Sequence, residues 1–186
     1  MHQNVLTKER ESDTQKNQVS FLTETAQTIK DDAVDAAREK MGFYQQEAEL
    51  SVLLQRRDFV EYFKYALAQE VSQVIGSYDQ QVQAIYLFEE SGNPDSETED
   101  YSPAIDLTVH LLTRVSSASA ALEAFVTSLD RALTEVLREL PSDAVVRRTS
   151  FLNVIPVTEK DIAEGHGYAV LLSSIYARPL QVWRRE

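Results

Sequence analysis

The fold turns on Val82-Gln83-Ala84-Ile85-Tyr86-Leu87-Phe88 and, beyond an acidic stretch, Ala104-Ile105-Asp106-Leu107-Thr108-Val109-His110-Leu111-Leu112. The first segment begins in alternation and ends as a continuous apolar run, the pattern of a strand buried on at least one face. The second alternates throughout. Ile105, Leu107, Val109 and Leu111 fall on one face and Asp106, Thr108 and His110 on the other, which predicts a polar face looking toward water or a cleft. Between them, Glu89 to Asp100 carries six acids and no base and reads as a solvated loop.

Downstream, Leu122, Phe125, Val126, Leu129, Leu133, Val136, Leu137 and Leu140 trace an amphipathic helix that Pro141 closes, with Ser116, Ser117 and Ser119 available to cap its start. Phe151 to Val157 predicts a further strand, its Pro156 suited to a strand end or a sheet edge. Thr158-Glu159-Lys160-Asp161 has the form of a helix-starting cap, a short helix is expected over 168–176, and Leu180 to Trp183 reads as a last strand. Upstream, Phe59, Phe63, Leu67, Val71 and Ile75 recur in steps of four, which predicts a core-facing helix over 46–76 that Gly76-Ser77 stops. The order from residue 56 onward is helix, strand, acidic loop, strand, long helix, strand, short helix, strand. That order predicts an α/β (α+β) fold with a small mixed sheet and flanking helices, centred on residues 82–183.

Residues 1–17 are nearly all polar and read as a disordered tail. Over 18–45, Val19, Leu22, Ala26, Ile29, Ala33, Ala36 and Phe43 alternate steps of three and four, interrupted by Lys40. This is a stripe of coiled-coil type, narrow and rich in alanine, which needs a second surface to cover it. That surface is either the chain's own domain or a partner. Val19, Leu22, Ala26 and Ile29 are the candidate interaction residues of this N-terminal helical element, Gly42 marks a break after it, and residues 46–186 form the main domain.

The chain of 186 residues is 43% hydrophobic, enough for one core. Its net charge of -12 opposes a phosphate backbone, and the pairs Arg56-Arg57, Arg147-Arg148 and Arg184-Arg185 lie far apart, so nucleic-acid binding is disfavoured. The absence of cysteine excludes disulfides, thiolate metal sites and cysteine nucleophiles. No secretory signal and no apolar run of membrane-spanning length is visible, which makes a soluble cytoplasmic protein the expectation.

Ile85-Tyr86-Leu87-Phe88, Ile105-Asp106-Leu107-Thr108-Val109 and Leu152-Asn153-Val154-Ile155, in this order and spacing, resemble the three strands of the nucleotidyltransferase-fold family, over roughly residues 56–183. In that family the first strand ends in a Gly-Ser turn that admits a nucleotide triphosphate. An Asp-x-Asp pair on the second strand and a carboxylate on the third hold two magnesium ions. Here Glu89-Glu90 stands in place of the turn, Ala104 in place of the first carboxylate and Asn153 in place of the third, leaving Asp106.

One carboxylate offsets a single unit of the charge on two such ions, so the resemblance implies a degenerate, non-catalytic member. Asp106, Glu89, Glu90 and Asn153 are its vestigial or alternative metal and nucleotide positions, with no cofactor as the expectation and magnesium with a nucleotide as the alternative. The implied role is regulatory or in assembly, through a protein partner or a homo-oligomer, with a structural subunit of a larger complex as a further alternative. Outside the resemblance, His110 and His166 read as structural, and no intact catalytic motif is present.

Overall fold

The structure, a computed structural model, describes residues 3–42, 48–88, 107–141, 149–176 and 178–186, with only the backbone given for 3–19. Its elements are α1 (Gln3–Lys40), α2 (Leu50–Leu53), α3 (Arg57–Tyr78), β1 (Val82–Phe88), β2 (Val109–Val115), α4 (Ala120–Leu137), β3 (Leu152–Val157), α5 (Glu159–Glu164), a 3₁₀ turn (Gly167–Ala169), α6 (Val170–Ser173) and β4 (Leu180–Arg184). The sheet runs β3-β2-β1-β4, with β1 antiparallel to both neighbours and β3 parallel to β2. This is a mixed α+β architecture; from residue 56 onward the described helices and strands follow the expected order, except that two short helices and a 3₁₀ turn stand where one short helix was expected, and the acidic loop lies outside the described residues.

One face of the sheet supplies Ile85, Val109, Leu111, Val115 and Leu152 to a core shared with Phe59, Phe63, Leu67, Val71 and Ile75 of α3 and Leu122, Leu129 and Leu133 of α4. Helix α1 packs on α3 and α4 and adds Leu22, Ala26, Ile29, Ala33 and Ala37 to the same core. Burying a leucine or isoleucine contributes about 1.5–3 kcal/mol, while the alanines contribute chiefly by letting the helices approach. The other sheet face carries a smaller core of Phe88, Leu112, Val157 and Ala169, covered by Ile162 of α5 and Leu171 and Leu172 of α6. Among the described residues, no helix is long and apolar enough to cross a membrane.

Five expectations change. Ala37 is buried and Ala36 exposed, because a straight helix with 3.6 residues per turn drifts off the 3.5-residue stripe read from the sequence. The helix predicted over 46–76 is broken at Leu54–Arg56, where the extended backbone of Arg56 starts α3 and the bend lets both Leu53 and Leu54 be buried. Gly76 lies inside α3, which runs on to Tyr78, and its missing side chain makes room for the Trp183 indole. The face of β2 expected to look toward water or a cleft is covered at His110 and Leu112 by the smaller core. The lead residues read as a tail begin α1 at Gln3, and Gly42 does end that helical region with a positive φ of 70°.

Candidate functional site

Phe88 pairs with His110 across β1 and β2, and His110 with Asn153 across β2 and β3. The exit of β1 and the entries of β2 and β3 therefore meet at one end of the sheet, the end at which the family resemblance places its ligands. Here the Asn153 side-chain nitrogen lies 3.1 Å from His110 Nδ1. With the amide donating, Nδ1 accepts and the ring carries its proton on Nε2. His110 is 8% exposed. Its ring centroid is 5.5 Å from that of Phe88, which in turn lies 5.4 Å from that of Tyr168 in the 3₁₀ turn. The aromatic contact shields the His110 end of the pair from water, while Asn153 stays half-buried.

The strand carrying Asn153 is anchored from behind. Asp130, on the polar side of the α4 stripe, accepts hydrogen bonds from the backbone N–H groups of Phe151 (2.8 Å) and Leu152 (2.9 Å). Two donors converge on one carboxylate oxygen and fix the entry of β3, where edge position leaves N–H groups without a ladder partner. Sequence reading missed this clamp. Nothing in the sequence marked it, since Asp130 stands with Ser128 and Arg131 on the polar side of α4.

Of the residues the resemblance singled out, Asn153 sits on β3, half-buried and bonded to His110. Asp106, Glu89, Glu90 and Ala104 lie outside the described residues. Among the described residues, no group of three or more histidines, cysteines, aspartates or glutamates converges to hold a metal ion. Of the two covers that the sequence allows for the N-terminal stripe, the chain's own domain takes Leu22, Ala26 and Ile29, all buried in its core. The side chain of Val19 lies outside the description.

The cap expectations meet their geometry. The Ser119 hydroxyl accepts from Leu122 N–H at 3.2 Å to start α4. Thr158 and Asp161 form a reciprocal capping box on α5, Asp161 N–H reaching the Thr158 hydroxyl at 3.3 Å and the Asp161 carboxylate accepting from Thr158 N–H at 2.8 Å. The Thr158 hydroxyl and N–H hold the Asp161 carboxyl below its ordinary value. His166 is exposed, its Nδ1 3.3 Å from the Glu164 carboxylate, and Gly165 on one side supplies the left-handed cap of α5 at a φ of 65°.

No family model matches the chain, and neither does any curated protein or solved structure.

Proposed function

We propose that this chain is a non-catalytic protein of nucleotidyltransferase-like layout that acts by binding another protein, in a regulatory or assembly role. The observation that carries this reading is the connector leading into β4. Val170, Ile175, Tyr176 and Leu180 are exposed among the described residues of 170–180, Tyr176 by 94% and Ile175 by 72%. Several large apolar side chains held close together in water, with no described element over them, support a surface that another protein covers. The non-catalytic half rests on Asn153. It is a neutral amide at the third carboxylate position, so it brings no charge to offset a metal ion, and its nitrogen is tied to His110.

Two measurements test the reading. Titration calorimetry with ATP, with and without magnesium, is expected to give no micromolar binding. Micromolar, magnesium-dependent binding that Asp106→Ala abolishes would overturn the non-catalytic half. Affinity capture from a cell extract is expected to retain a protein on the wild-type chain that the Ile175→Ser/Tyr176→Ser variant loses. Equal retention by both, or retention by neither, removes the connector as a binding surface.

A further inference from the structure

Helices α1, α3 and α4 enclose an open cavity of about 520 Å³ on the helical side of the molecule, remote in sequence from the β4 connector. Its volume falls in the range of small-molecule sites, roughly 300–1,000 Å³. Aromatic rings supply much of its wall. Phe21 of α1 is 63% exposed, and Tyr78 of α3 stacks on Phe125 of α4 with centroids 3.7 Å apart and planes 6° from parallel.

The polar lining is rich in acceptors and carries two carboxylates, with Gln73, Ser77 and the Tyr78 hydroxyl able to donate as well as accept. Thr25 and Thr28 donate their hydroxyl hydrogens to the backbone carbonyls of Phe21 (2.8 Å) and Glu24 (3.0 Å), so toward a ligand these hydroxyls act as acceptors. Asp32 from α1 and Glu70 from α3 add two carboxylates. Among the described lining residues none is a lysine, arginine or histidine, and nearby Lys30 sits 3.5 Å from the carboxylate of Asp31. Burial first, and then the like charge of Asp32, pushes the Glu70 carboxyl above its ordinary value.

We propose that this cavity binds a small organic cation, a protonated amine carried on an aromatic or alkyl body. An ammonium brings three donors to a rim that offers acceptors, and its charge offsets two like charges that the protein leaves together. The apolar body covers Phe21 and Tyr78, whose ring faces also attract a cation. This inference is independent of the protein-binding role proposed for the connector and stands or falls separately from it.

The test is a titration of the full chain with 2-phenylethylammonium chloride, followed by the backbone amide resonances of Thr28, Gln73 and Tyr78. Saturable shifts are expected. The uncharged isostere 2-phenylethanol is expected to bind the same wild-type chain at least about tenfold more weakly. Asp32→Asn/Glu70→Gln, its fold checked by circular dichroism, is expected to weaken the amine by a similar factor. Absence of saturation up to about 10 mM amine, equal binding of the alcohol, or undiminished binding by a folded double variant overturns the proposal. Should the double variant fail to fold, the comparison of amine with alcohol on the wild-type chain decides alone.

Discussion

The indole of Trp183 lies against the backbone of Gly76 so closely that a Cβ at residue 76 would clash with the ring. The contact joins the last turn of α3 to the last strand. Arg185, two residues on, reinforces it by donating to the carbonyls of Gly76 (2.6 Å), Asp79 (2.9 Å) and Val82 (2.9 Å).

Gly76→Ala is therefore expected to destabilise the protein even though alanine favours helix. The gain in helix propensity is about 1 kcal/mol. Against it stands the displacement of a packed indole, so that the net loss is about 1–3 kcal/mol. Urea denaturation measures it, and because Trp183 is the sole tryptophan, its emission reports the displacement directly.

Removing the Asp130 clamp exposes its energetic role. Asp130→Ala leaves the N–H groups of Phe151 and Leu152 without their acceptor and is expected to cost about 2 kcal/mol, with Asp130→Asn, which keeps an oxygen in place, costing less. Hydrogen exchange at those two amides should accelerate in the alanine variant more than at β1 amides. Uniform acceleration would mean that the clamp is not local.

Asn153→Leu takes away the half-buried amide that meets Nδ1 of the buried His110. A destabilisation of about 1–3 kcal/mol is expected in denaturant titration. Unchanged stability would show that the pair contributes nothing to the fold.

The Glu70 carboxyl has a folded value raised above its unfolded value of 4.5, so the native state holds its proton more tightly. Stability is then expected to decline as pH rises from the unfolded value through the folded one, with the penalty complete above it. Glu70→Gln should flatten this part of the stability–pH curve and exceed the wild type in stability at neutral pH. Parallel curves for the two proteins would remove the effect.

Asp161 behaves in the opposite sense. Its folded value is depressed by the capping box, so the stabilisation is present above the unfolded value and lost as pH falls through the folded one. In Thr158→Ala the Asp161 carboxyl is expected to titrate closer to an ordinary aspartate, measured by carbon chemical shift against pH.

What the sequence determined by itself was local. The apolar steps of four in α3, the stripe of α4, the Ser119 and Thr158 caps and the placing of Pro156 on an edge strand all follow from periodicity and from backbone groups within a few residues of each other. The mixed α+β class follows from their order. Tertiary structure decided which surfaces those elements spend on one another. It buried Ala37 in place of Ala36, covered the polar-patterned face of β2 and turned an apparent helix stop at Gly76 into a seat for Trp183.

The candidate site was legible only in part for the same reason. Asn153 was marked by its place in a strand, but its partner His110 was set by the register between β2 and β3. The Asp130 clamp and the facing of Asp32 on Glu70 likewise arise from packing between separate helices and strands. A residue's own neighbourhood in sequence fixes its backbone geometry, whereas its burial and its partners depend on chain segments that only the folded packing brings together.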